Sequence, residues 1–572
     1  MRILVLAALL ASLGLVGCRT PDGRYYFQIE QATLFHNGTI YVDPAEPPVE
    51  AVLVRGKRIA AVGNERDLRK ALGRGYKSVD LQGGVAVPGL SDAHGHIAGY
   101  GASLESVPLR DTRSFAQVVA RVKAQAARQK PGTWISGRGW DQSLWDVQEF
   151  PHHAALSAAV PEHPVLLRRV DGHAAIANEL ALRKAELLFE DAVPVIEGGR
   201  VEVDAKGHPT GMLIDTAMGL VSRHIPEAGP DDTRRQILRA QEALLAQGLV
   251  CVHDMGIDAE TAAIFEELDG EGKLDLRVIS YLWGNSGLDA KTMARYPRPE
   301  DASPEGHLRI IGTKLMLDGA LGSRGAALIE AYSDAPDEHG LMRMDLETFL
   351  TRARTLARAG LQPATHAIGD RANRMLLDAY ATLRDEDPNF PALRPRIEHA
   401  QIVAAGDWPR FEELGVVASM QPTHATTDMR WAEARIGDER LKGAYAWRRL
   451  VEDPGWLAFG SDFPVESPDP IEGLYAARTR MDKQGLPEGG WLSDQALSGA
   501  EALRAFTRGA AFAAHEEETR GHLAVGCFAD MTVLDTDPVL CEPAKLLEAK
   551  VLMTVIDGVV VHTSVPAKAA RP

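Results

Sequence analysis

Two histidines one residue apart, His94 and His96, close the apolar run VAVPGLSDA. On an extended strand, residues i and i+2 share a face, so both imidazoles would point the same way and could begin a metal site. An H-x-H pair also arises by chance, and this one gains weight from three other residues that close apolar runs. His366 ends LQPATH, His399 ends RIEH and Asp462 ends WLAFGSD. Nitrogen and oxygen donors of this kind suit zinc first, with iron, manganese or cobalt as further choices. Lys314 is the unusual member, because it sits inside IIGTKLML, where an unpaired ammonium is expensive to bury. Two explanations stand side by side. Lys314 could pair with Asp318, or a depressed pKa could let its amine take up CO₂ as a carbamate whose two oxygens bridge two divalent ions.

Residues so far apart in sequence meet only if the fold gathers them. A parallel (β/α)₈ barrel does so, because its active site collects from the C-terminal ends of different strands. Eight runs qualify as its strands: VAVPGLSDAHGH, LVCVHDMG, LRVISYL, IIGTKLMLDG, LQPATHAIGD, RIEHAQ, VVASMQPTH and WLAFGSDFP, separated by Ala/Leu/Arg-rich helical stretches. The candidate ligands then fall at strands one, four, five, six and eight. About 140 residues separate the first run from the second, several times one helix, so an insertion spanning about 105–245 is expected there, read as a cap over the barrel mouth. Short β-branched runs with Asn37-Gly38 and Gly56-Lys57 turns precede the barrel, and the same texture returns after it in GHLAVGCFADMTVLD and VLMTVIDGVVVH. The expected organisation is an α/β chain with the barrel over 89–510 and a small β-sandwich assembled from 31–88 and 511–565.

With 572 residues the chain has room for a large barrel and an accessory domain, and its formal charge of −17 argues against nucleic acid as a partner. Met1-Arg2 followed by the apolar run Ile3 to Val16 reads as a signal h-region, shorter than the roughly 20 residues of a spanning helix. Leu15-Val16-Gly17-Cys18 resembles a bacterial lipobox, which implies a signal peptide over 1–18, a lipidated Cys18, a tether over 19–30 and attachment to a membrane of the cell envelope. Several acyl chains anchor stably where one does not. The remaining cysteines, Cys251, Cys527 and Cys541, show no C-x-x-C spacing and read best as free thiols.

The ordered set SDAHGH, GTKLMLDGALGSRGA, THAIGD, IEHAQ and GSDFP resembles the amidohydrolase superfamily, specifically its amidohydrolase-3 branch, which includes proteins similar to N-substituted formamide deformylases. The resemblance implies that His94, His96 and Asp462 hold one metal ion, that His366 and His399 hold the other, and that carboxylated Lys314 bridges them. It further implies hydrolysis of a non-peptide C–N bond, in which a hydroxide bridging the ions attacks a polarised carbonyl and Asp462 serves as general acid and base.

Substrate contacts are expected from His173 in DGHAA, Trp140 and Asp141 in GWDQ, Arg324 in GSRGA and His424 in QPTH. His173 or His424 could steady a carbonyl oxyanion, and Arg324 could read a carboxylate. A structural role competes with each of these. His253 follows the second strand and is not assigned to metal. Two other functions remain open at this stage: a one-metal deaminase, which has no need of Lys314, and an anchored binding lipoprotein that keeps the fold without catalysis. A homodimer is the common default for such enzymes.

Overall fold

The computed structural model describes residues 16–19, 25–28, 31–72, 75–169, 174–187, 199–287, 290–293, 295–296, 305–451 and 457–565. The signal-peptide reading of the N-terminus, including the side chain of Cys18, falls outside what is described, as does His173. Two compact units emerge: Met1–Ile97 with Ala240–Pro572, and Ala98–Arg239.

The larger unit contains eight parallel strands, β1 (Leu90–Gly95), β2 (Leu249–Ile257), β3 (Arg277–Trp283), β4 (Leu308–Met316), β5 (Gln362–Ala367), β6 (Arg396–His399), β7 (Val417–Met420) and β8 (Leu457–Phe459), hydrogen-bonded in that order. Each overlaps one of the eight apolar runs. The strands are buried along nearly their whole length, which is the pattern of parallel sheets covered by helices. The covering helices carry ordinary start and stop signals. Leu346–Ala359 begins at Asp345, whose side chain accepts from Thr348 N, and ends at Gly360 with φ of 72°. Its buried Phe349, Ala353 and Leu356 form one stripe toward the strands.

The seam between β8 and β1 is short. Asp462 N donates to His94 O at 2.7 Å and His96 N donates to Phe463 O at 2.9 Å. Two glycines permit this approach: a Cβ on Gly95 would lie 2.3 Å from the Phe463 ring, and one on Gly460 would lie 2.5 Å from Asp92 Oδ1. The bonds that close the barrel therefore run through His94, His96 and Asp462.

The first apolar run divides in two. Val85–Pro88 pairs with Met531–Leu534 in a five-stranded sheet, and only Leu90–Gly95 joins the barrel. Gly89 makes the switch where a Cβ would meet Val250 at 2.3 Å. That sheet, with Thr39–Ile40, Val551–Ile556 and Val559–Thr563, shares a core with a four-stranded sheet of Ala32–His36, Ala51–Arg55, Arg58–Gly63 and Lys77–Asp80. Phe35, Val52, Ala86, Met531 and Val555 fill that core, so both chain ends build it. At the N-terminal end of the barrel, the guanidinium of Arg277 on β3, itself buried, bonds Asp530 at 2.7 Å and also Asp557. Gln362 on β5 donates to Ala513 O at 3.0 Å, and these contacts tie the strand starts to the C-terminal segment.

The smaller unit holds a six-stranded mixed sheet, running Val107–Pro108, Ile135–Trp140, Val165–Arg169, Ala174–Ala177, Pro209–Asp215 and Gly199–Val203. Alternation along Val165–Arg169 sends Leu167 to a core with Trp140 and Leu166 to a second core with Leu182. Among the described residues, no helix is long and apolar enough to cross a membrane.

Candidate metal centre

On β1, Asp92 and His94 share the inward face, and His96 follows just past the strand end. The parallel pairing of β4 with β5 puts Lys314 beside Ala364 and Met316 beside His366. Lys314 points inward, so His366, two residues after Ala364, does so too. His399 is aimed differently. Strand alternation gives the inward face of β6 to Arg396 and Glu398, and His399 reaches the mouth through a left-handed turn, with φ of 76°. Asp462 has φ of 60° for the same purpose after β8. Non-glycine residues held in this region cost about 1–3 kcal/mol each and cluster at functional sites.

These turns bring the six sequence-predicted ligands around one space. The ligand atoms of His94, His399 and Asp462 lie within 4.8 Å of one another. His94 Nε2 stands 3.0 Å from Lys314 Nζ and 3.6 Å from Asp462 Oδ1, and His96 Nε2 stands 3.1 Å from the same oxygen. The His366 and His399 rings are 4.6 Å apart. His366 Nε2 is buried without a hydrogen-bond partner. Asp318 Oδ1 is 3.3 Å from it, but that carboxylate accepts the backbone N–H groups of Ala327, Ile368 and Gly369. Lys314 thus turns to His94 and not to Asp318. An unpartnered buried imidazole nitrogen beside converging nitrogen and oxygen donors fits a divalent cation.

Surrounding groups decide which nitrogen each histidine presents. Glu398 Oε2 lies 2.6 Å from His94 Nδ1, and Gln421 Oε1 lies 2.7 Å from His399 Nδ1. Both partners accept a proton held on Nδ1, which leaves Nε2 as the ligand atom. Glu398 is gripped by Arg396, whose Nε donates to Oε1 at 2.7 Å and whose Nη2 donates to Oε2 at 3.1 Å. The rest of that guanidinium bonds His253 Nδ1, Tyr281 Oη, Ala93 O and Ser419 Oγ inside the barrel. Burial and the Lys314 charge push His94 down to about 4, against the pull of Glu398. Burial likewise holds His399 well below the usual range, helped by His366 and His94. Both are therefore neutral and able to ligate at neutral pH. Burial brings Lys314 down to about 8, although Glu398 and Asp462 oppose this. Burial disfavours the Asp462 carboxylate, yet hydrogen bonds from His424 and His96 hold it well below the usual range.

His424 lies on the helix Pro422–Asp428 that follows β7. Its Nε2 is 3.3 Å from Asp462 Oδ2 and its Nδ1 is 3.3 Å from Glu466 Oε1. Burial alone would lower it, but these two carboxylates raise it to about 10. With both nitrogens engaged, His424 orients Asp462 rather than facing an oxyanion. Arg324 is spent on Asp334, which it meets through two nitrogens at 3.1 and 2.9 Å. In the smaller unit Trp140 is fully buried, with its indole N–H on Leu167 O at 2.9 Å, which makes it a core residue. Asp141 caps Ser143 and pairs with Arg169.

Sequence reasoning passed over Glu398, Arg396, Gln421 and Asp92. The first two carried a readable signal: opposite charges at i and i+2 inside the apolar run RIEH share a face and must satisfy each other when buried. Asp92 accepts from His94 N at 3.0 Å and from Ser461 Oγ at 2.6 Å, fixing β1 to the segment that bears Asp462.

Comparison with known proteins agrees with this geometry. The amidohydrolase family pattern Amidohydro_3 matches residues 77–562. The Protein LONG AFTER FAR-RED 3 of Arabidopsis thaliana is 34% identical over 92% of this chain and 90% of its own length. The N-substituted formamide deformylase of Arthrobacter pascens is 29% identical over 91% and 96%. The crystal structure of an uncharacterized metal-dependent hydrolase from Pyrococcus furiosus superimposes with a TM-score of 0.73 at 29% identity, covering 89% of this chain and all of that one. With the family pattern spanning most of its length and the ligand-bearing barrel in place, the chain belongs to the Amidohydro_3 family of amidohydrolases, metal-dependent hydrolases.

Proposed function

We propose that the chain hydrolyses a non-peptide C–N bond, that of an N-substituted amide or formamide, at a centre of two divalent ions, zinc by default. The observation that carries this reading is the buried Lys314, whose Nζ lies 3.0 Å from His94 Nε2 while His366 offers an unpartnered Nε2 nearby. A one-ion deaminase has no use for that lysine. His94, His96 and Asp462 would hold one ion, His366 and His399 the other, with Lys314 between them as a carbamate. The neutral Lys314 amine attacks CO₂, an N–C bond forms and one proton is released, a step favoured by a pKa brought down to about 8. Bound divalent ions bring the pKa of a water toward neutrality and polarise a carbonyl oxygen.

The chain's own groups do the rest. Asp462 accepts the proton of the attacking water and delivers it to the departing nitrogen, so that the products are an acid and an amine. His96 and His424 steer its two oxygens. Glu398 and Gln421 hold His94 and His399 with Nε2 forward. The name of the Arthrobacter pascens relative, a deformylase of N-substituted formamides, supports the bond class.

Metal analysis of the purified protein, followed by a screen of N-acyl and N-formyl amines with Asp462→Asn as the inactive control, tests the reading. Near two ions per chain, with turnover of an amide, is the expected result. One ion per chain, with Lys314→Ala unaffected, would transfer the assignment to a deaminase. We also propose that Cys18 is lipidated and holds the enzyme at a bacterial envelope membrane, supported by the Leu15-Val16-Gly17-Cys18 ending after an apolar run. Intact mass of the membrane fraction checks this, and an unmodified Met1 N-terminus would count against it.

A further inference from the structure

On β3, Tyr281 and Trp283 share a face. Tyr281 is inside the barrel, where its hydroxyl accepts from Arg396 Nη1 at 3.0 Å and donates to Gln362 Oε1 at 2.6 Å. Trp283 stands one pleat closer to the mouth on that same face. Strand pairing confirms the direction, because Trp283 is the register partner of Lys314, and Lys314 reaches inward to His94. On the β2 side, a Cβ on Gly256 would lie 3.0 Å from Trp283 Cε3 and 3.5 Å from Lys314 Cγ. The indole edge therefore packs against bare backbone beside the aliphatic stem of Lys314. Trp140 and Trp447 are fully buried, whereas Trp283 stays 38% exposed although it faces inward. A large apolar ring left open beside a reactive centre is a binding surface.

Its position in the ring of strands indicates which part of a substrate it meets. β3 lies four strands from β7, which leads into His424, and three strands around the short way from β8, which leads into Asp462. On the mechanism above, the departing nitrogen turns toward Asp462, which leaves the acyl substituent to the far side of the ring, where β4 lies opposite β8 and β3, with Trp283, lies beside it. We infer that Trp283 is the wall of the acyl pocket, and that the enzyme selects amides whose acyl group is flat and apolar over those that carry only a formyl group. This inference rests on the proposed amide hydrolysis and on the direction in which Asp462 passes its proton.

The test uses the metal-loaded full chain with formyl, acetyl and benzoyl amides of one amine, p-nitroaniline, and separately measures benzoate and acetate binding by calorimetry. Wild type should prefer the benzoyl substrate. Trp283→Ala should lower the benzoyl-to-acetyl ratio of kcat/KM by about tenfold, and Trp283→Phe should keep most of it, in line with the worth of one aromatic contact. Benzoate binding should weaken in Trp283→Ala by a similar factor while metal content is unchanged. A benzoyl-to-acetyl ratio and a benzoate affinity both within twofold of wild type in Trp283→Ala would overturn the inference. If no amide is turned over by wild type, the amide reading fails, and the benzoate measurement still decides on Trp283. Where Trp283→Ala does not fold, Trp283→Leu, which keeps apolar volume without a flat ring, is read against the same twofold limits.

Discussion

Glu398→Gln is the substitution with the most informative consequence. The change preserves shape but replaces one acceptor oxygen with an amide donor, and both positions available to that donor are occupied. If the new NH₂ takes the place of Oε1, it opposes the Arg396 Nε donor that now bonds at 2.7 Å. If it faces His94, it donates to Nδ1, now 2.6 Å from the carboxylate, and moves the imidazole proton to Nε2, the atom that must bind metal. Loss of such a supporting carboxylate costs about 10–100-fold in metal affinity. That range corresponds to about 1.4–2.7 kcal/mol. Breaking a buried pair adds about 3–5 kcal/mol to the stability cost, because Arg396 is left without its countercharge. Competition with a chromogenic chelator reads the affinity, and denaturant unfolding of the metal-free protein reads the stability. Metal affinity within threefold of wild type would refute the claim that Glu398 selects the His94 tautomer.

Other consequences follow from the same geometry. Lys314→Ala should lower the metal content from about two ions per chain to about one, as counted by plasma emission, and no change would remove Lys314 from the centre. In the metal-free protein His94, with a folded value of about 4 against 6.5 unfolded, should withdraw stability as pH falls from about 7 to 5, against the opposite contribution of Asp92, which burial pushes up to about 7. Stability from the His94 imidazole is present above the unfolded value and lost as pH falls toward the folded one, about 3 kcal/mol in total for His94 alone. His399 and His253, also held below the usual range by burial, act in the same direction. Denaturant midpoints of wild type and His94→Gln at the two pH values check this, and the same pH dependence in both would contradict it. Asp530→Ala should cost about 1.5–3 kcal/mol in unfolding free energy by removing one of the two carboxylates that hold the buried Arg277, while metal content stays at the wild-type value.

The barrel strands were legible because most of the apolar runs end in polar residues near the strand terminus, and because parallel strands sheathed by helices are apolar on both faces. The expected domain boundary fell at 88/89, yet VAVPGLSDA was read as a single barrel strand, since two consecutive buried strands in different sheets read as one run. The candidate ligands could be picked out from the strand ends, but their aim could not. His399 and Asp462 reach the mouth through left-handed turns that strand alternation does not foretell. The partners of the ligands stayed hidden for a different reason. Glu398 meets His94 across 304 positions of sequence, and only the strand order brings them together. Trp140 misled because an aromatic next to an acid resembles a binding motif, whereas its indole serves the core of the smaller unit.

On the proposed function, six residues from five strand ends hold two ions. Anomalous diffraction from crystals of zinc-loaded protein tests it most directly. Two peaks are expected, one bounded by His94, His96 and Asp462 and the other by His366 and His399, with density continuous from Lys314 to both. A single peak held by His94, His399 and Asp462, with Lys314 Nζ bare, would contradict it.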